Sequence, residues 1–175
     1  MTKALLFALI LGAAALHAQP EGIWQGYDGE WGHVSRQLIA LADATPAEKF
    51  TWRPAPGVRS IAEVLLHASA ANYNMYKLVG VPIPPGLDVE NFEQSTTDKT
   101  KIIAMLKESY AHAKKAITDL PDANLEKTMD WAGGKVTYRG MLLYIVPHIA
   151  EHLGQLIAYA RINGVVPPWS EDAKK

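Results

Sequence analysis

Four helix-periodic segments, divided by proline and glycine, constrain the fold of this chain more than any other feature of its sequence. Apolar residues recur in them at intervals of three and four, and no run shows the alternation typical of a strand. With 175 residues, 49% of them hydrophobic, the chain can bury one shared core. The sequence therefore predicts an all-α protein, a four-helix bundle. The segments run from about Tyr27 to Ala44, Ser60 to Val79, Thr97 to Leu120 and Thr137 to Asn163.

The residue types at the segment ends agree with these boundaries. Ser60 is followed three positions later by Glu63, which is the pattern of a capping box at a helix start. The second segment stops at Gly80 and the proline-rich stretch VPIPPG, and Thr137 is placed to cap the fourth. Gly164 is a typical stop for that last helix.

The N-terminal stretch MTKALLFALILGAAALHAQ has the layout of a secretory signal peptide. Lys3 precedes an apolar run from Ala4 to Leu16, which is too short to span a bilayer as a mature helix. Small residues follow, and cleavage is predicted after Ala18. Residues 1–18 are thus predicted to be a signal peptide and residues 19–175 the mature domain, exported to the periplasm or the medium. The alternative is a retained N-terminal anchor.

Charge and cysteine content exclude several classes of partner and site. The 17 lysines and arginines nearly balance the 18 aspartates and glutamates. No nucleic-acid or anionic-membrane partner is therefore expected, and no membrane span is expected once the signal is removed. The chain has no cysteine, which excludes disulfides, thiolate zinc sites and a cysteine nucleophile. Any metal must be bound through nitrogen or oxygen.

A pair of histidines lies inside the last segment, in the stretch VPHIAEHLGQLIAYARINGVVPP. His148 and His152 are four residues apart, so their rings share one face of a helix. The apolar stripe on that face comprises Met141, Ile145, Leu156 and Tyr159. This stripe indicates that the pair points into the bundle, in a half-buried position with a spacing suited to a metal.

His67 is a third histidine on an apolar helix face, between Val64 and Ala71 of the second segment. A buried imidazole needs a partner for its ring nitrogens, because an unpaired buried polar group costs about 1 to 3 kcal/mol. A metal is one such partner; a backbone carbonyl or a water is another. Three imidazoles from two helices suit zinc, nickel, cobalt or iron(II). Three protein ligands leave coordination positions open, as at reactive metal sites.

The sequence HIAEH also matches the H-x-x-E-H pattern of inverzincin peptidases, in which Glu151 would be the general base. Such enzymes need a further acidic ligand well downstream. Only Glu171 and Asp172 follow, in a polar tail. Glu151 is therefore interpreted as a solvated residue of the last helix that is kept as a candidate general base.

Several other residues are candidates for the surroundings of the histidines. His33 and His112 are interpreted as half-exposed surface residues, and His33 is a candidate extra ligand or proton carrier. Tyr144 is a candidate to line a pocket, although aromatic residues in a small bundle usually pack in the core. Gln155 is a further candidate beside the histidines.

The stretches RSIAEVLLHASAANY and VTYRGMLLYIVPHIAEHLGQLIAYARINGVVPP, in this order and at this separation, resemble the DinB/YfiT-like superfamily of metal-binding four-helix bundles. The H-x-x-x-H-x-G-Q-L core of the last helix is the main shared motif. The resemblance implies an up-down-down-up order of helices. It also implies that His67, His148 and His152 bind one divalent metal, for which zinc, nickel and iron are the candidates.

Members of the superfamily are linked to thiol-dependent transfer, and some relatives are described as metal-dependent hydrolases. Because the thiols used by the family are cytoplasmic and this chain carries an export signal, a metal-activated water acting on a small molecule suits it better than a transferase reaction. The alternatives are a non-catalytic metal-binding or ligand-binding bundle and a purely structural domain. The long stretch GVPIPPGLDVENFEQS would permit a homodimer.

Overall fold

The computed structural model describes residues 27–170, so the predicted signal peptide lies outside the described residues. Four helices and one short β-hairpin make up the fold. The predicted helix boundaries are confirmed to within about two residues. The elements are α1 (Tyr27–Ala44), α2 (Ile61–Leu78), α3 (Lys99–Asp119), β1 (Thr128–Trp131), β2 (Gly134–Thr137) and α4 (Tyr138–Ile162).

The start of α2 is fixed by the predicted capping box. The Ser60 hydroxyl accepts from the Glu63 backbone N–H at 3.2 Å, and the Glu63 carboxylate accepts from the Ser60 N–H at 2.6 Å. The carbonyls of Trp52 and Phe50 accept from the next two free N–H groups, those of Ile61 and Ala62. The first turn of α2 therefore leaves few unsatisfied donors, and the position of His67 in the second turn is set.

The direction of each helix follows from contacts near its ends. The ammonium of Lys99, at the start of α3, donates to the carbonyls of Asp43 and Thr45 at the end of α1, both at 2.7 Å. Consequently α3 runs antiparallel to α1. Val79, directly after α2, and Asp119, the last residue of α3, line the same cavity, so both helices finish at the same end of the bundle and are parallel.

The last helix returns in the direction of α1. Trp52, in the link after α1, packs edge-on against Tyr159 near the end of α4, with ring centroids 5.3 Å apart. Helices α1 and α2 each pack against both α3 and α4. The up-down-down-up order of the bundle is thus confirmed.

The core runs the length of the bundle and draws on all four helices. Each large side chain buried there contributes roughly 1.5 to 3 kcal/mol relative to exposure. Leu66 and Ala68 are fully buried on either side of His67, which fixes the backbone that carries this histidine. The largest fully buried side chains are Leu38, Leu41, Phe50, Ile61, Leu65, Leu66, Tyr76, Ile102, Leu106, Met141, Ile145 and Ile149.

The β-hairpin corrects the expectation that the chain has no strand. β1 pairs antiparallel with β2, with Trp131 opposite Gly134, through a two-residue turn at Ala132 and Gly133. Both turn residues have positive φ, +49° and +81°, as a tight hairpin turn requires. The turn was not predicted because Ala132 occupies a position where asparagine, aspartate or glycine is the usual signal.

Helix α4 is the one helix within residues 27–170 that is long and apolar enough to cross a membrane by length and composition. Core helices of many globular proteins meet the same criterion. Here α4 packs against α1 and α2 and carries two of the three histidines on its inner side.

Candidate metal centre

The structure brings the three predicted histidines together between α2 and α4. Their ring centroids are 5.4 Å apart for His67 and His148, 4.7 Å for His67 and His152, and 4.7 Å for His148 and His152. One nitrogen of each ring lies within 4.8 Å of those of the other two. Among the described residues, this is the one cluster of three histidine or acidic side chains with such geometry.

The ring of His152 is held by Gln155, one of the predicted surrounding residues. His152 Nδ1 lies 3.1 Å from Gln155 Oε1, and Gln155 Nε2 donates to the Tyr159 hydroxyl at 2.9 Å. Because an amide oxygen only accepts, Nδ1 carries the proton and donates. The lone pair of His152 is therefore on Nε2, which is buried and has no hydrogen-bond partner within the described chain.

The ring of His67 is held by Glu93, which was not predicted from the sequence. His67 Nδ1 lies 2.5 Å from Glu93 Oε1, and the carboxylate accepts, so the lone pair of His67 is on Nε2. The Arg59 guanidinium donates two hydrogen bonds to the same carboxylate, at 2.6 and 3.1 Å. A carboxylate behind a histidine in this manner is a common arrangement at metal sites, where it fixes the tautomer and orientation of the ring.

Glu93 reaches the site from a 3₁₀ turn, Phe92–Gln94, in the long link between α2 and α3. Phe92 is buried and packs against Tyr73 of α2, with ring centroids 6.0 Å apart. This contact fixes the turn next to α2. The link, which the sequence suggested only as a surface for dimerisation, thus supplies a functional side chain. No local pattern marks Glu93, because its partner is 26 residues away in sequence.

The electrostatics of the cluster favour neutral imidazoles at His148 and His152. Burial, followed by the nearby charges of His152, His67 and Arg59, lowers the pKa of His148 to about 4. Burial also lowers the pKa of His152, against the opposing effect of the Gln155 hydrogen bond. Burial alone would raise the pKa of Glu93, but the hydrogen bonds from Arg59 and His67 outweigh it and keep this pKa below its ordinary value. At neutral pH His148 and His152 are therefore neutral, which is the form that can bind a metal, and the Glu93 carboxylate nearby is ionised.

The unpaired nitrogens fit a divalent metal. Nε2 of His148, like that of His152, is buried without a hydrogen-bond partner in the described part of the chain. Unpaired buried polar atoms are rare in folded proteins. Three imidazole nitrogens within 4.8 Å of one another are the donor set of zinc, nickel, cobalt or iron(II) sites.

An open cleft of about 800 Å³ lies against the cluster, with His67 and His148 on its surface. Trp131, brought in by the hairpin, forms part of its wall. Tyr144 is 45% exposed and stacks on His148 with ring centroids 6.1 Å apart, and Trp131 lies 6.5 Å from Tyr144. The remaining lining residues are Ala70, Ala71, Asn74, Met75, Lys77, Leu78, Val89, Glu90 and Glu93.

The other predicted residues lie away from this centre. Glu151 is exposed on α4 and His33 is exposed on α1, and neither belongs to the cluster or the cleft lining. His112 is half-buried rather than a simple surface residue, and its ring packs against Tyr73 at 5.0 Å. The interpretation of HIAEH as a peptidase motif has no support in the geometry, because Glu151 is exposed and lies outside both the cluster and the cleft lining.

A comparison with known protein families shows to which family the chain belongs. The family model of the DinB superfamily matches residues 31–156, most of the chain. The chain belongs to the DinB superfamily. The resemblance inferred from the sequence is thereby confirmed. No curated protein sequence matches the chain significantly.

Solved structures of other DinB-like proteins share the fold at low sequence identity. A DinB-like protein from Bacillus cereus has a TM-score of 0.72 at 18% identity, covering 83% of this chain and 96% of its own. A DinB-like protein from Bacillus subtilis has a TM-score of 0.65 at 18% identity, covering 80% of this chain and 93% of its own. YfiT from Bacillus subtilis is described as "a probable metal-dependent hydrolase with an unusual four-helix bundle topology". Its TM-score is 0.63 at 16% identity, and the match covers 81% of this chain and 88% of YfiT.

Proposed function

We propose that this DinB-superfamily protein is a metal-dependent hydrolase of small electrophilic molecules. The observation that carries the proposal is the convergence of one ring nitrogen each from His67, His148 and His152 beside an open cleft, with Nε2 of His148 and of His152 buried and unpaired within the described chain. Among the side chains that the structure describes, no fourth histidine or acidic residue closes the cluster. Structural zinc is usually closed by four protein ligands, so an open set of three favours a reactive site.

Each side chain around the cluster has a defined task in this proposal. The three imidazoles hold one divalent ion, for which zinc, nickel and iron(II) are the candidates. When bound, such an ion supplies a Lewis acid that polarises an electrophile and makes water available as a nucleophile near neutral pH. Glu93 and Gln155 fix the two ring orientations through their Nδ1 hydrogen bonds.

The cleft walls select a small substrate with a partly apolar surface. Trp131 and the α2 side chains Ala70, Ala71 and Met75 present apolar surface next to His67 and His148. Pockets of this size and character take small molecules and exclude folded protein substrates. YfiT is itself described as a probable metal-dependent hydrolase, which supports the same reaction class for a protein of this fold.

Export is part of the proposal and rests on the composition of residues 1–18. It favours hydrolysis over thiol-dependent transfer, since low-molecular-weight thiols are scarce outside the cytoplasm. Fractionation of cells that express the full chain tests this point. We expect the mature protein, starting near Gln19, in the exported fraction; full-length protein retained in the cytoplasm would contradict export.

The activity is tested with the full mature protein against a panel of esters, lactones, amides and epoxides, with and without added thiols. We expect turnover that a chelator abolishes and that added zinc, nickel or iron(II) restores. His148→Ala should lose it, whereas His33→Ala, which changes an exposed histidine outside the cluster, should keep it. One equivalent of retained metal with no turnover of any substrate would instead indicate a non-catalytic binding protein.

A further inference from the structure

A second cavity, of about 600 Å³, lies at the end of the bundle where α2 and α3 finish and α4 begins. We call it the end cavity. It is formed by residues 79–82 after α2, by Ala116 and residues 119–121 around the end of α3, and by Tyr138. It shares no lining residue with the cleft beside the histidines. Its volume is in the range of pockets that hold small molecules.

Much of the end cavity wall is apolar. Val79 and Ala116 are buried core residues, and Leu120 is half-buried against the core. Pro82 and Pro121 lie in the two links that frame the cavity and restrict their backbones. This wall suits the hydrocarbon part of a ligand rather than a sugar or a nucleotide.

One polar atom in this wall lacks a partner. His112 lines the cavity, and its Nε2 is buried with no hydrogen-bond partner in the described chain. Burial lowers the pKa of His112, so the ring is neutral at neutral pH. The ring forms part of the cavity wall, but its Nε2 is covered by protein atoms and is not a contact for a ligand in the cavity.

The charges on the rim leave one free cation. Lys115 pairs with Asp119, and both line the cavity. Lys127 also lines it and has no ion-pair partner among the side chains that the structure describes. The Lys127 backbone is held on both sides, since its N–H donates to Asn124 at 3.0 Å and its carbonyl accepts from Tyr138 at 2.8 Å. An unpaired lysine beside an apolar pocket favours an anion with an apolar body.

We propose that the end cavity binds a small monocarboxylate with an apolar body, with the carboxylate at Lys127 and the body against the apolar wall. A single free cation is too little for a phosphate-rich ligand, which typically needs several donors. The proposal is independent of the metal and of the hydrolase activity, since no residue of the end cavity contacts the histidine cluster. It adds a second binding site to the protein.

The test uses octanoate and its neutral, non-hydrolysable counterpart 1-octanol as probes of the full mature protein. Titrations followed by backbone amide NMR shifts locate each probe and give its Kd. Lys127→Gln removes the free cation, and Lys107→Gln removes an exposed lysine on α3 outside the cavity as the matched control.

We expect saturable octanoate shifts around Val79, Leu120 and Tyr138. Lys127→Gln should weaken octanoate about tenfold, as expected for the loss of one charge-assisted hydrogen bond, and leave 1-octanol unchanged. Lys107→Gln should have no effect.

Three results would overturn the proposal. These are shifts that map to the histidine cleft, no saturable shifts at all, and 1-octanol binding as tightly as octanoate. Equal octanoate affinity of wild type and Lys127→Gln would likewise exclude the assigned role of the lysine.

Discussion

The helices and the links between them contribute to the metal centre in different ways. Helices α2 and α4 supply the three imidazoles, whose spacing follows from helix geometry. The links supply Glu93, which orients the ring of His67, and Trp131, which walls the cleft. The positions of the three imidazoles thus follow from local helix geometry. The orientation of the His67 ring and the shape of the cleft depend instead on link segments that tertiary contacts hold in place.

The largest effect is expected on the helix side of this comparison. The double substitution His148→Ala/His152→Ala removes two of the three donors and should reduce bound metal from one equivalent to background. The added stability that metal gives to the folded state should be lost with it, which amounts to roughly 4 kcal/mol at a metal concentration 1,000-fold above Kd. Elemental analysis and thermal unfolding with and without zinc measure both effects.

His33→Ala is the control for this experiment, because it removes one exposed imidazole outside the cluster. It should leave metal content and the zinc-dependent stabilisation unchanged. Full metal retention by the double variant would show that the helices do not provide the ligands.

For the links, Glu93→Gln tests whether the orientation of the His67 ring depends on the Glu93 carboxylate. The amide keeps the size of the side chain but loses the charge that pairs with Arg59 and holds His67 Nδ1. We expect metal affinity to fall about 10- to 100-fold, as for other residues that orient metal-bound histidines. Competition titration with a chromophoric chelator gives the Kd.

Glu90→Gln is the matched control, since Glu90 lines the same cleft in the same link without a hydrogen bond to a histidine. It should leave the metal Kd near that of the wild type. If both variants weaken binding equally, general charge near the site matters and the specific bond to His67 does not.

The smallest effect is expected at the hairpin turn. Ala132 has a φ of +49°, a left-handed conformation that disfavours residues with a Cβ atom, so Ala132→Gly should raise the free energy of unfolding by about 0.5 to 1 kcal/mol. Thermal unfolding should show a Tm higher by roughly 2 to 4 °C per kcal/mol.

Gly133→Ala makes the opposite change at the other turn position, whose φ is +81°. It should lower the free energy of unfolding. A lower Tm for Ala132→Gly would contradict the turn geometry, and with it the position of Trp131 at the cleft.

The sequence was sufficient to predict the four helices and the three histidines. Periodicity of three to four residues and the Ser60 cap are local signals, and His148 and His152 meet because they are one turn apart. Gln155 was predicted beside the histidines, since it lies three residues after His152 on the same helix.

The parts that were not predicted depend on contacts between distant residues. Glu93 meets His67 across 26 residues and Arg59 across 34, and no periodic pattern connects them. The hairpin escaped prediction because each strand has only four residues and its turn contains Ala132. Both features become visible only when the packing of the links against α2 and α4 is known.

X-ray absorption spectroscopy of the zinc-loaded mature protein tests the central claim most directly, because it reports the number and type of atoms around the ion. Three imidazole nitrogens at about 2.0 to 2.1 Å, with the remaining coordination by a light exchangeable ligand, are expected if His67, His148 and His152 bind one ion. A first shell with one imidazole or none would contradict the assignment of the three histidines as its ligands.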